Sequence, residues 1–172
     1  MAEQLCTFFL KGVYFGINVL QVQEVIRPQA ITRIPLAPPD ICGLINLRGQ
    51  IITVIDLQRR LEIGQPQTQS NIKLVEQPQG FNIIVRSDDE VVSLLVDNVG
   101  DVLEFPKNTF QPLPATLKGK MLSMLAGAYP LPDGFVLVLD AEKILDINLL
   151  KEAGGKRQKA GGFYLEGDSD PS

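Results

Sequence analysis

The 172-residue sequence contains no histidine, no tryptophan and only two cysteines. Histidine is the commonest general base and metal ligand, so its absence argues against acid–base catalysis, most metal centres and a phosphorelay role. Cys6 and Cys42 form no C-x-x-C pair, which favours reduced structural cysteines. The serine, threonine, lysine and aspartate residues show no recognised catalytic spacing. We therefore expect a non-enzymatic protein with no catalytic residue, no metal and no cofactor.

Positive charge is also scarce. The formal net charge is -4, and the isoelectric point is near 4.9. The one cationic cluster, Lys156, Arg157 and Lys159, sits in a glycine-rich tail without interleaved aromatic residues, so we expect no nucleic-acid partner. The sequence has neither a signal-peptide pattern nor an apolar run long enough to span a bilayer. These features predict a cytoplasmic protein that does not insert into a membrane.

Short apolar segments rich in isoleucine, valine, leucine and phenylalanine fill most of the chain, separated by glycine, proline, asparagine or aspartate. This pattern is typical of β-strands. Lys11-Gly12 is predicted to form a hairpin turn. The predicted strands are 6–10, 13–17, 32–34, 43–47, 51–55, 73–75, 82–86, 91–96, 102–105, 124–129 and 135–139.

Helices are predicted to be few and short. Asn18 is positioned to cap a helical turn or two ending before Pro28, and residues 57–61 are predicted to form one further turn. A better helix is predicted at 141–150, where Gly154-Gly155 would end it. The polar, glycine-rich residues 152–172 are interpreted as a flexible tail.

The two halves of the sequence resemble each other. A shift of 77 positions aligns residues 22–26 with 99–103, a shift of 84 aligns 41–56 with 125–140, and the difference predicts a seven-residue insertion between 113 and 125. This repeat predicts two related β subdomains, each of about five strands closing into a barrel or near-barrel. Neither is large enough to hold much core alone, so the two should pack together with a groove between them.

Positions that agree between the copies have a sufficient structural explanation. Asp56 and Asp140 each follow a strand and precede a helical turn, which favours N-capping. Gly43 and Gly127 are expected to serve backbone geometry, and Gly49 is expected to form part of a turn.

Positions that differ between the copies need another explanation. Residues 46–49, with the sequence NLRG, align with PLPD at 130–133, so the shared fold does not require Arg48. Glu24 is a nearby motif-flanked acid that could pair with Arg48, because a bidentate contact to a carboxylate fixes an arginine well. An exposed pair adds only about 0–1 kcal/mol to stability, so its value would lie in shaping a recognition surface.

At these residues the sequence closely resembles the CheW family of bacterial chemotaxis coupling proteins. The matching segments cover roughly residues 5–150, and the resemblance is most specific in the first half. They are FGI at 15–17, VQEVI at 22–26, ITRIP at 31–35, GLINLRG at 43–49, VIDL at 54–57, LVDNV at 95–99 and DGFVLVLD at 133–140.

The resemblance implies a mainly β fold of two SH3-like five-stranded barrels with short helices and a C-terminal helix. It implies one CheW-like domain over 1–151, with a first subdomain at about 14–64 and a second at about 5–13 and 71–151. The loop at 65–70 would connect them.

The resemblance also implies an adaptor that joins the cytoplasmic tip of a chemoreceptor to the regulatory domain of a CheA-type histidine kinase. The protein would be a monomer in isolation and would be recruited from the cytoplasm to membrane-associated receptor arrays. Its kinase contact would be apolar and lie mainly at the end of the first barrel. The receptor-binding groove would contain Glu24, Val25, Leu44, Asn46 and Arg48.

Two features depart from the family pattern. Ser93 stands where the family commonly has glycine, and residues 129–132 are unusually rich in proline. The second barrel would therefore be specialised. The same design also serves twitching-motility and phototaxis pathways, and it would suit a decoy that occupies array positions without coupling, so these remain alternatives.

Overall fold

The computed structural model of the protein describes residues 1–63, 80–88 and 90–146, and strands predominate among them. Two α-helices, α1 (Leu57–Leu61) and α2 (Ala141–Ile144), and 3₁₀ turns at Val19–Gln21, Lys107–Thr109 and Lys120–Met124 complete these regions. The predicted mainly β class is confirmed. The strands are β1 (Ala2–Leu10), β2 (Val13–Asn18), β3 (Val22–Ile26), β4 (Ile41–Leu47), β5 (Gln50–Asp56), β6 (Phe81–Ser87), β7 (Glu90–Val96), β8 (Asn98–Pro106), β9 (Leu125–Leu131) and β10 (Gly134–Leu139).

The strands pair into two five-stranded sheets. Sheet I has the order β8-β1-β2-β10-β9, and sheet II has the order β3-β6-β7-β5-β4. In each sheet the third and fourth strands are parallel, and the other neighbours are antiparallel. The two sheets therefore share one topology, as the sequence repeat predicts. Neither is closed by strand pairing in the described part of the chain, but their arrangement is consistent with the SH3-like fold.

The strands of sheet II are inserted in the chain between strands of sheet I. Sheet II is built from the consecutive strands β3 to β7, whereas β1 and β2 combine with β8, β9 and β10 to form sheet I. A two-stranded hairpin is marginal alone, so β1 and β2 gain their stability from β8 and β10 on either side. The boundaries of any independent folding units stay a prediction.

Two isolated bridges locate the insertion in the second copy. Thr32 pairs with Leu44, and Gln111 pairs with Ala128. Compared with the first copy, two of the extra residues lie between residues 99–103 of strand β8 and Gln111, and the other five lie between Gln111 and Ala128. The sequence alignment, which placed all seven after Leu113, is corrected here. Part of the longer connection is the 3₁₀ turn Lys120–Met124, which contacts both helices.

The largest core lies between the two sheets. Phe8 and Phe15 of sheet I stack there with ring centroids 5.6 Å apart, and Ile83 and Leu94 of sheet II belong to the same buried cluster. Each sheet also has a smaller cluster of its own, which includes Leu5 in sheet I and Ile45 in sheet II. The shared core explains why the two sheets pack together, as their small size predicts.

Several predicted elements differ from the structure. The helical turn predicted after Asn18 is limited to Val19–Gln21, where the Asn18 side chain accepts a hydrogen bond from the Leu20 amide at 2.8 Å. Residues 22–26 are instead strand β3, because their β-branched side chains pair with β6. Predicted strand 32–34 is reduced to the single bridge at Thr32. Met124 belongs to a 3₁₀ turn rather than to β9.

The C-terminal helix is shorter than predicted over the described residues. It ends at Ile144, and the carbonyl of Ile144 accepts a hydrogen bond from Arg60 Nη2 at 3.0 Å. The C-cap residue, Leu145, no longer has α-helical backbone angles. The predicted strand 73–75, the connecting loop 65–70, the helix residues 147–150 and the tail lie outside the described residues.

Arg60 joins elements that belong to different sheets. It lies in α1, which follows β5 of sheet II, and its side chain is completely buried. Its Nη1 lies 3.5 Å from Asp40 Oδ2, and its Nη2 bond to Ile144 reaches the helix that follows β10 of sheet I. Burial lowers the pKa of Arg60, whereas the charge of Asp40 opposes that shift. We infer that this buried arginine fixes the two sheets relative to each other.

Packing explains why Ser93 stands at a position where the family commonly has glycine, when the two copies of the repeat are compared. The shift of 77 positions matches Gly16 with Ser93 and Leu5 with Asn82, and all four residues are buried. A Cβ atom on Gly16 would lie 2.9 Å from Leu5 Cδ1, so glycine makes room for leucine in sheet I. Sheet II carries the smaller Asn82 at the position diagonal to the larger Ser93, because Asn82 is opposite Leu95 and Ser93 is opposite Ile84. The Asn82 amide and the Ser93 hydroxyl have no hydrogen-bond partner among the described residues.

This complementarity predicts strong coupling between the two positions. We expect Asn82→Leu alone to lower the free energy of unfolding by about 1–3 kcal/mol, because the added volume meets Ser93. The double variant Asn82→Leu/Ser93→Gly should recover that loss, since it reproduces the packing of sheet I and removes two unpaired polar groups, each costing about 1–3 kcal/mol. Urea unfolding of both single variants and the double variant measures the coupling energy. If Asn82→Leu changes the free energy of unfolding equally in the wild-type and the Ser93→Gly proteins, this explanation is contradicted.

Candidate functional site

The candidate site is centred on the turn between β4 and β5. Leu47 pairs with Gln50, so Arg48 and Gly49 form a two-residue hairpin loop with φ values of 53° and 88°. Two left-handed residues in succession suit a type I′ turn, which matches the twist of the strands. For a residue with a side chain this conformation costs roughly 1–2 kcal/mol. Asn46 supports the turn, because its Oδ1 accepts a hydrogen bond from the Gly49 amide at 2.8 Å.

Arg48 forms an ion pair with Glu24. Its Nη2 contacts Glu24 Oε2, and the two side chains are 66% and 27% exposed. Glu24 lies on β3, one edge of sheet II, and Arg48 follows β4, the opposite edge, so the pair links the two edges of the curved sheet. In sheet I the matching positions are Asp101 and Pro132. Proline cannot adopt the φ of Arg48, so this ion pair and its turn belong to one copy.

The other predicted groove residues divide between two faces. Strand register places Leu44 opposite Thr53 and Asn46 opposite Ile51, so these four side chains share one face of sheet II. On β3, Glu24 is opposite Ile84 and Val25 is opposite Ile83, so these two neighbours alternate between the faces. Val25 is 41% exposed. The structure thus brings Glu24 to Arg48 and sets Leu44 beside Asn46 along β4.

The predicted structural residues occupy the expected kinds of position. Asp56 and Asp140 are N-cap residues of α1 and α2, and their carboxylates accept hydrogen bonds from the amides of Arg59 and Glu142. Burial raises the pKa of Asp56, whereas the Arg59 amide and side chain oppose that shift. The N-cap geometry accounts for both aspartates.

Gly43 and Gly127 are required by close contacts. Gly43 has a φ of 148°, and a Cβ atom there would lie 2.2 Å from the backbone oxygen of Thr32. At Gly127 a Cβ atom would lie 2.3 Å from Phe110 Cζ. Because they have no side chain, both glycines leave room for the segment that crosses their strand next to an isolated bridge.

Cys6 and Cys42 are free cysteines, and burial together with the charge of Asp56 raises the pKa of Cys42 to about 12, so it is a neutral thiol at pH 7. Among residues 1–63, 80–88 and 90–146, no three potential metal ligands cluster. No helix in those ranges has the length and apolar character needed to cross a membrane. What the site does present is an exposed cation held by a carboxylate beside exposed apolar surface.

Sequence reasoning missed three residues at this end of sheet II. Ile51 is 60% exposed opposite Asn46, and its position in an apolar strand had concealed that exposure. Gln23 and Arg86 form a hydrogen bond of 2.6 Å between Oε1 and Nη2. Their pairing depends on the register of β3 and β6, which the sequence pattern does not reveal.

Comparison with known proteins places this geometry in context. A family model described as the CheW-like domain matches residues 4–148. The chemotaxis protein CheW of Klebsiella aerogenes is 30% identical over 150 residues, covering 84% of this chain and 82% of the relative. That of Treponema pallidum is 26% identical over 149 residues, covering 87% and 85%. The crystal structure of the scaffolding protein TtCheW from Thermoanaerobacter tengcongensis superposes with a TM-score of 0.72 at 28% identity, covering 86% of this chain and 95% of that one.

Proposed function

The chain belongs to the CheW-like domain family, and on that premise we propose that it is a non-enzymatic scaffold in a chemosensory array, where it couples chemoreceptors to a CheA-type histidine kinase. The observation that carries this proposal is the family match over residues 4–148. The protein would be a monomer in isolation. It would be cytoplasmic and would reach the membrane-associated array by binding the cytoplasmic tip of the receptor.

In this proposal the receptor segment docks on the Glu24–Arg48 face. The ion pair holds the guanidinium in a defined direction, and its remaining N–H donors stay available to the partner. Asn46, Leu44 and Val25 would add polar and apolar contacts to a receptor helix. The pair is partly exposed and contributes only about 0–1 kcal/mol to folding, which favours a role in recognition over a role in stability.

The kinase contact is proposed to be apolar and to lie at a separate surface, at the end of the first subdomain. Coupling requires both partners to bind at once, so the two surfaces cannot overlap.

A binding experiment with purified fragments tests this function. The full chain is immobilised and offered the regulatory domain of the histidine kinase, the receptor cytoplasmic tip, and both together. Retention of each partner alone and of both together is expected. Retention of one partner alone would favour the decoy alternative, and retention of neither would refute the adaptor function.

A further inference from the structure

The edge strand β3 contains a bulge beside the ion pair. Val22 is opposite Val85 and Glu24 is opposite Ile84, so Gln23 is an extra residue in β3. Bulges bend a strand and re-aim the side chains next to them. Here the two consecutive side chains Gln23 and Glu24 each hold an arginine, from different elements. Arg86 reaches Gln23 from the neighbouring strand β6, and Arg48 reaches Glu24 from the β4–β5 turn.

The two arginines differ in how their charge is balanced. Glu24 is a carboxylate and compensates Arg48, whereas Gln23 is a neutral amide that orients Arg86 without neutralising it. Over the described ranges, no carboxylate lies within salt-bridge distance of Arg86. Arg86 and Gln23 are both exposed. An oriented, uncompensated guanidinium with several free N–H donors is well suited to bind a carboxylate, to which it can donate two parallel hydrogen bonds.

We propose that Arg86 is a second recognition residue of the docking face, and that it binds an aspartate or glutamate carboxylate of the receptor segment that contacts Arg48. Gln23 is a positioning residue that holds the Arg86 guanidinium in the plane the carboxylate needs. This inference rests on the proposed function, because it assigns the chemistry of the partner at the same site. It adds a requirement: the docked segment carries an acidic side chain within reach of Arg86.

The test measures binding of the receptor cytoplasmic tip to the full chain by calorimetry at two salt concentrations. Arg86→Gln is expected to weaken binding about tenfold and to reduce its salt dependence, since one charge-assisted contact is lost. Arg86→Glu is expected to weaken it further. Arg27→Glu is the matched control, because Arg27 follows the far end of β3 and carries the same charge. This control should bind within about twofold of wild type under the same conditions.

The role of Gln23 has its own readout. Gln23→Glu should neutralise Arg86 and compete with the partner carboxylate, so receptor binding should fall while the unfolding midpoint does not. The acidic residues of the receptor fragment are then changed to lysine one at a time. At one position, the lysine fragment should bind the Arg86→Glu chain better than it binds the wild-type chain. That rescue would name the partner carboxylate.

The outcomes separate this inference from the proposed function. If Arg48→Glu weakens receptor binding but Arg86→Glu binds like wild type, the role of Arg86 is refuted and the adaptor function stands. If the wild-type chain does not bind the receptor fragment, both fail. Arg86→Glu should leave binding of the kinase regulatory domain unchanged, and a parallel loss there would overturn the assignment of Arg86 to the receptor face.

Discussion

Replacing Arg60 by alanine is expected to lower the free energy of unfolding by about 3–5 kcal/mol. The substitution would leave Asp40, which is 7% exposed, as a buried carboxylate without its cation. It would also remove the donor to the Ile144 carbonyl and so release α2 from α1. Urea unfolding followed by circular dichroism gives the measurement.

The neighbouring arginine provides the matched control. Arg59 is exposed, and its Nε lies 3.6 Å from Asp56, so Arg59→Ala should cost less than about 1 kcal/mol. The paired change Arg60→Met/Asp40→Asn should be less harmful than either single change, because it removes the buried charges together. If Arg60→Ala costs no more than Arg59→Ala, the buried arginine does not fix the two sheets.

Reversing the charge of Arg48 is expected to weaken receptor binding at least tenfold. Arg48→Glu places a second carboxylate beside Glu24 and removes the guanidinium that the receptor segment would contact. The double change Glu24→Arg/Arg48→Glu rebuilds an ion pair in the opposite direction and should restore binding in part. Calorimetric titration with the receptor fragment compares the single and double variants, while binding of the kinase regulatory domain should not change.

Arg48→Gly separates recognition from stability. Glycine adopts the φ of 53° without strain, so this variant should be as stable as wild type or more stable by about 0.5–1 kcal/mol. Receptor binding should nevertheless fall, because the side chain is gone. Normal binding by this well-folded variant would discard the recognition role of Arg48.

The sequence was informative where one local pattern determines the structure. The Lys11-Gly12 and Arg48-Gly49 turns are punctuated by glycine, and both adopt the left-handed pair of residues that a two-residue hairpin needs. The paired copies revealed that Arg48 is special, since only one copy has an arginine there. Arginine chemistry called for an acidic partner, the family resemblance singled out Glu24, and the structure has that ion pair.

Features that depend on pairing between distant segments were harder to predict. Residues 22–26 have apolar positions compatible with a helix, and β6, almost 60 residues away, makes them a strand. The burial of Arg60 was missed because its two partners, Asp40 and the Ile144 carbonyl, lie in separate parts of the chain. Arg86 was missed because an exposed arginine in a strand is ordinary until the bulge at Gln23 orients it.

The most direct test of the central claim is kinase autophosphorylation in receptor-containing membranes with the purified full chain added. The adaptor function predicts that wild type makes kinase activity depend on the receptor. It also predicts that Arg48→Gly still binds the kinase regulatory domain but loses that dependence. Kinase activity that responds to the receptor equally well without the chain, or equally well with Arg48→Gly, would contradict coupling through the Glu24–Arg48 face.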